Sequence, residues 1–134
     1  MSHLLAVLVR LAALALGLAV FYVFLAGTAE KGDANIGAGL LAFGALIVAG
    51  FAWSLYDGRR RGAPFAIVVW IAVSAGLAIG WWIALAAIER DASMSFGELL
   101  ANDVGSVPFI LGLVAVPAVA GAFIGGATRR AGVA

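Results

Sequence analysis

The chain has 134 residues, of which 65% are hydrophobic and only 11% charged; it contains no cysteine and carries a formal net charge of +1. A soluble domain holds roughly 45–50% apolar and about 25% charged residues, so this composition, with a mean hydropathy of +1.14, points to lipid as the solvent. Disulfides, thiolate metal sites and a cysteine nucleophile are excluded, and near-neutral charge gives no electrostatic grip on nucleic acid. The length allows one domain, residues 1–134.

Crossing the hydrocarbon takes about 20 mostly apolar residues in helical form. Four stretches qualify: Leu4–Gly27, Ile36–Tyr56, Phe65–Ile88 and Val107–Ala127. The expected fold is therefore an all-α integral membrane protein built as a four-transmembrane-helix bundle. Charge clusters fall between the spans, at Glu30-Lys31-Gly32-Asp33, at Asp57-Gly58-Arg59-Arg60-Arg61 and between Glu89 and Asp103.

The first span runs from Leu11 to Ala26 without a charge and is followed by Gly27-Thr28-Ala29. That pattern is shared with secretory signals cleaved after a small residue, here Ala29. The weak basic start and the late position of Arg10 favour a retained span. Orientation follows from the basic residues. Arg10, Arg59, Arg60, Arg61, Arg129 and Arg130 share one side, against Lys31 and Arg90 on the other. The positive-inside rule then places both termini and the second connection in the cytoplasm. Trp53, Tyr56 and Trp70 fall near the inner boundary and Tyr22, Trp81, Trp82 and Phe109 near the outer one, as an aromatic belt requires. The Ala, Gly, Val and Arg richness suggests a GC-rich bacterial genome, hence a multi-pass protein of the bacterial cytoplasmic membrane.

Spans two and four open and close alike. Asn35-Ile36-Gly37 and Asp103-Val104-Gly105 precede them, and Arg59-Arg60-Arg61-Gly62 and Arg129-Arg130-Ala131-Gly132 follow. An internal duplication would produce this. So would the ordinary arginine ending of any inward-running span, which is the simpler account.

Helices in lipid associate through close backbone approach and dispersion, which small residues four apart permit. Ala13 and Gly17, Gly76 and Gly80, and Gly121 and Gly125 have that spacing. These glycines serve either packing within the bundle or a face for a partner, and four short spans leave room for both. Pro117 lies mid-span and removes a backbone donor, so a bend is expected there. Pro64 and Pro108 sit at helix starts, where a missing amide hydrogen costs nothing. The stretch from Ser93 to Asp103 reads as a short amphipathic helix outside lipid. It opens with the capping box Ser95-Phe96-Gly97-Glu98 and turns Phe96, Leu99 and Leu100 to one side.

Residues that carry chemistry are scarce. Arg10 is the one ionisable group well inside a span, about 9 Å from its start by helical rise. It is expected to snorkel to the headgroups, with a buried functional arginine as the sharper alternative. No midplane carboxylate of the kind a proton-coupled exporter needs is present, and the single histidine, His3, rules out a bis-histidine haem site in one chain. Asp33 with Asn35, and Asn102 with Asp103, read as helix caps. The Asp57-Gly58 step with its arginines reads as an orientation signal that can also meet anionic lipid. No nucleophile–base pair, phosphate loop or metal spacing occurs.

The expectation is therefore a non-catalytic small membrane protein without a cofactor. It would act as an accessory or structural subunit whose partners are the lipid bilayer and another membrane protein or further copies of itself. The competing reading is a self-associating channel or transporter for an ion or small solute, its pathway at the subunit interface with Arg10 or the outer acidic residues near its mouths. Candidate functional or partner-contact residues are Arg10, Gly76, Gly80, Pro117, Gly121 and Gly125.

Overall fold

The computed structural model describes residues 2–26, 34–88 and 94–131. The clusters at Glu30–Asp33 and Glu89–Asp91, the Ala29 junction, the caps expected of Asp33 and Asn35, and the Arg130 side chain lie outside the described residues. Five helices follow in order: α1 (His3–Phe21), continued by a wider π-type turn over Tyr22–Ala26, then α2 (Ala34–Arg61), α3 (Ala63–Ile88), the short α4 (Phe96–Asn102) and α5 (Ser106–Ala131). Among the described residues there is no strand, and four helices are long and apolar enough to cross a membrane.

Each long helix turns one stripe inward at helical spacing. Buried positions are Ala6, Arg10 and Leu14 on α1; Ala42, Leu46, Ser54 and Asp57 on α2; Ala66, Trp70, Val73 and Leu77 on α3; Ile110, Val114, Ala118 and Ala122 on α5. Residues three or four apart share a helix face, so each stripe is a single seam. Large apolar side chains such as Leu4, Leu16, Val48 and Val116 point outward instead, as a lipid-facing surface requires.

The second connection is shorter than the sequence implied. Asp57 to Arg61, expected in a loop, continue α2 for another turn, and Gly62 alone separates α2 from α3. Its φ of +91° lies in the region glycine reaches without a Cβ penalty. Pro64 follows within the first turn of α3, where its fixed φ suits a helix start. The chain thus reverses within one residue, and Asp57 becomes a helical residue with an inward direction.

α2 and α5 run side by side in the same direction. Phe43 meets Phe109 edge-on at 5.6 Å between centroids, Gly50 lies against Val114, and Arg59 Nε donates to Thr128 Oγ1 at 3.2 Å. Glycines make this seam narrow. A Cβ on Gly121 would fall on the Phe51 carbonyl oxygen and the Ser54 hydroxyl; one on Gly125 would fall on the Leu55 carbonyl oxygen and lie 2.9 Å from the Arg59 amide nitrogen. One on Gly58 would lie 2.5 Å from the Ala122 carbonyl oxygen. Such backbone contact is how helices gain dispersion energy in lipid. α3 lies along α5 as well, whereas α1 rests on α3 and scarcely touches α2. The two halves are therefore not arranged alike, which favours the simpler account of the repeated arginine endings.

α4 begins as its residues dictate. Ser95 Oγ accepts the Glu98 amide at 3.4 Å, and Ser95 N donates to Glu98 Oε2 at 2.8 Å. The Ser95 hydroxyl, which donates to the same oxygen at 2.7 Å, and then the Ser95 amide hold the Glu98 carboxyl below the usual carboxylate range. Leu99 is buried, and Trp82 Nε1 donates to the Leu100 carbonyl at 2.9 Å, fastening α4 to α3. Asp103 ends α4 and accepts the Ser106 amide through its backbone carbonyl at 2.9 Å, so the expected side-chain cap of the last span is replaced by a main-chain turn. α5 stays helical through Pro117, from Ser106 to Ala131.

The glycine seam yields a prediction. Gly121→Ala or Gly125→Ala forces a backbone separation and is expected to cost about 1–3 kcal/mol. Gly80→Ala, whose Cβ would meet nothing within 4 Å, is expected to be neutral or to gain up to about 1 kcal/mol from the added helix preference. Unfolding in mixed micelles, followed by tryptophan fluorescence, checks both.

Candidate functional site

The polar centre of the bundle is built by α1, α2 and α3 together. α1 carries Arg10 one turn beyond Ala6, on the stripe that faces α3. α2 carries Asp57 on the continuation of its buried seam. α3 carries Trp70 two turns past the Gly62 reversal. Arg10 Nε donates to Asp57 Oδ2 at 2.8 Å and Arg10 Nη2 to Asp57 Oδ1 at 2.5 Å, a fork-to-fork pair. Arg10 Nη1 donates to the Ala6 carbonyl at 2.8 Å, and Trp70 Nε1 donates to Asp57 Oδ2 at 3.0 Å. Trp53 places its ring under the guanidinium, 5.4 Å from centroid to Cζ, and meets Trp70 edge-on.

Arg10 is 4% exposed and Asp57 2%, so the guanidinium does not snorkel. The expected route to the headgroups is replaced by an internal partner, for a physical reason. Once α2 extends past Asp57, a carboxylate stands at bonding distance inside the bundle, and a bidentate charge-assisted pair outcompetes a reach toward solvent. Trp70 is likewise fully buried rather than part of the aromatic belt. Tyr56 is half exposed, with Arg60 over its ring at 5.1 Å.

The bond inventory limits the chemistry of this centre. Each carboxylate oxygen accepts from Arg10, one also from Trp70, and the guanidinium uses Nε and both terminal nitrogens. Neither residue lines any of the four main grooves found among the described residues. The nearby serines are occupied too: Ser54 donates to the Phe51 carbonyl at 2.9 Å and Ser74 to the Trp70 carbonyl at 2.7 Å. Among the described residues no group of three or more His, Cys, Asp or Glu could hold a metal ion. The arrangement suits a fixed electrostatic latch between three helices.

The other candidate residues lie apart from this centre. Gly121 and Gly125 face α2, and Gly76 packs against the Leu11 side chain of α1. Gly80 opens with Gly76 into an apolar groove of about 750 Å³ between α1 and α3, lined also by Ala15, Ala19, Trp81 and Ala84. Pro117 lines a separate shallow groove with Phe109 and Gly112. Asp57 is the residue of this polar centre that sequence reasoning assigned to a connection instead. Its signal was the spacing Leu46, Gly50, Ser54, Asp57, which extends the buried face of α2 by one more turn.

No protein-family model, no curated protein and no solved structure matches the chain. Its reading therefore rests on these side chains.

Removing one partner of a buried pair strands the other charge, so Arg10→Ala and Asp57→Ala are each expected to lower stability by about 3–5 kcal/mol. The double variant Arg10→Met with Asp57→Leu should recover most of that loss, since apolar replacement of both partners is often neutral. A double-mutant cycle on unfolding in micelles, closed with the single Arg10→Met and Asp57→Leu variants, checks this; additive losses would mean that the two residues do not interact.

Proposed function

We propose that this protein is a non-catalytic integral membrane subunit that packs against another membrane protein, with the groove between α1 and α3 as its contact face. The groove is the observation that carries the reading. Small residues that close the α2–α5 seam are consumed internally, whereas Gly80 has nothing within 4 Å and lies in an apolar cleft where Ala15, Ala19, Gly76 and Ala84 alternate with larger side chains such as Leu18 and Trp81. A partner helix gains close backbone approach there, the main source of association in lipid.

The polar groups argue in the same direction. The intramembrane ion pair is saturated by its own chain, which leaves it nothing to offer a substrate or a permeating ion. The self-associating channel reading loses Arg10 as a pathway residue for that reason, and an apolar groove paired with its own copy makes no hydrophilic path. Both termini and the Gly62 reversal belong on the cytoplasmic side, with α4 outside, because Arg10, Arg59, Arg60, Arg61 and Arg129 share that half of the chain's layout. A bacterial cytoplasmic membrane fits the composition.

Native mass spectrometry after gentle extraction from the host membrane tests the reading. The wild type should leave with a second membrane polypeptide at fixed stoichiometry. Gly80→Leu, which fills the groove, should release the partner while the unfolding transition stays in place. A bare monomer would contradict the proposal, and a fixed homo-oligomer would favour self-association and call for flux assays in liposomes.

A further inference from the structure

At the end of the bundle where α2 gives way to α3 the charges are unbalanced. Arg59, Arg60, Arg61 and Arg129 gather there, and Asp57 is already committed to Arg10. The remaining carboxylates among the described residues, Glu98 and Asp103, belong to α4 and its exit at the opposite end. Three of the four guanidiniums find other company: Arg59 donates to Thr128, Arg60 lies over Tyr56, and Arg61 lies over Phe65 at 4.9 Å. Arg129 makes no ion pair with any described residue and lines a cleft instead.

That cleft lies between the start of α3 and the end of α5. It holds about 620 Å³ and is walled by Gly62, Pro64, Ile67, Phe123, Ala127 and Arg129, a size within the roughly 300–1,000 Å³ range of small-molecule sites. Its wall is apolar along the partly buried Ile67 and the exposed Phe123. It is cationic at Arg129, which approaches Gly62 so closely that a Cβ there would sit 3.3 Å from Nη1. One cleft thus offers a guanidinium that makes no ion pair among the described residues and an apolar lining beside it.

We infer that this cleft binds a phospholipid with an anionic headgroup, its phosphate on Arg129 and the first part of an acyl chain along Ile67 and Phe123. Charge and apolar lining together select this occupant. A free phosphate would leave the slot empty, and a zwitterionic lipid would bring its own cation against four arginines. Guanidinium and phosphate match in geometry as well as charge. This site is separate from the groove between α1 and α3, so it stands or falls independently of the subunit reading.

The test is lipid retention by the full chain in native mass spectrometry, after exchange against equal amounts of phosphatidylglycerol and phosphatidylcholine. One phosphatidylglycerol should be retained in preference. Arg129→Gln should lower that retention about fivefold, the weight of one arginine at an anionic surface. Arg60→Gln, whose guanidinium lies over Tyr56 outside the cleft, should stay closer to wild type. Ala127→Leu narrows the slot and should reduce retention without any change of charge, and millimolar inorganic phosphate should not displace the lipid. An unchanged unfolding transition in each variant separates loss of the site from loss of the fold. Equal retention of the two lipids, equal losses in the Arg129 and Arg60 variants, or an indifferent Ala127→Leu would overturn the inference in favour of diffuse surface charge. Displacement by phosphate would assign the site to a free anion.

Discussion

The buried pair of Arg10 and Asp57 sets the terms for the rest of the structure. Two charges away from solvent are tolerated only when paired and bonded, and here that condition recruits three helices. Asp57 must be helical and inward, so α2 has to continue past it. Trp70 must reach the same carboxylate from α3, thirteen residues on, so the chain has to reverse at once; Gly62, at φ +91°, lets it do so. α1, which has little contact with α2, is brought to it by its arginine. Trp53 then covers the pair and meets Trp70.

The helices are held in two different ways. α2 and α5 meet backbone to backbone over glycines, with Gly58, Gly121 and Gly125 each facing main-chain atoms of the neighbour. At those three positions main chain stands against main chain, which leaves little side chain to rearrange there. α1 is held by side chains, through the ion pair and the packing of Leu11 against Gly76, and beside it open grooves of about 290 and 750 Å³. The division matters for function. The glycine-rich seam is closed to any partner, while the edge formed by α1 and α3 keeps small residues exposed to the membrane. A tight pair and a loosely flanked helix suit the proposed packing role, in which the fold must survive while another protein covers one face.

Much of this was legible in the sequence. The four spans, the capping box of Ser95 and Glu98 and the small-residue spacing of Gly121 and Gly125 follow from length, local hydrogen bonding and period, and these are encoded within a few residues. What escaped was anything decided by two distant segments. Asp57 beside three arginines looks like the start of a polar connection, because charge density marks loops more strongly than one further turn of a buried stripe marks a helix. With Asp57 assigned to solvent, Arg10 had no partner and snorkelling was the cheaper outcome, and Trp70 looked like a boundary residue. One misplaced boundary thus carried three side chains with it. Which glycine face is internal and which is open was equally invisible, since Gly80 and Gly121 share the same spacing and differ only in what stands opposite.

The claim on which the account turns is that the Arg10 guanidinium is bonded to Asp57 and not to lipid. Solid-state NMR in anionic bilayers, with labelled arginine nitrogen and aspartate carboxyl carbon, measures the contact directly through dipolar recoupling, alongside recoupling to lipid phosphorus. The structure predicts strong coupling of Arg10 nitrogens to the Asp57 carboxyl carbon and none to phosphorus. Strong coupling of Arg10 to lipid phosphorus, with none to Asp57, would show a snorkelling arginine and remove the latch on which the bundle has been built.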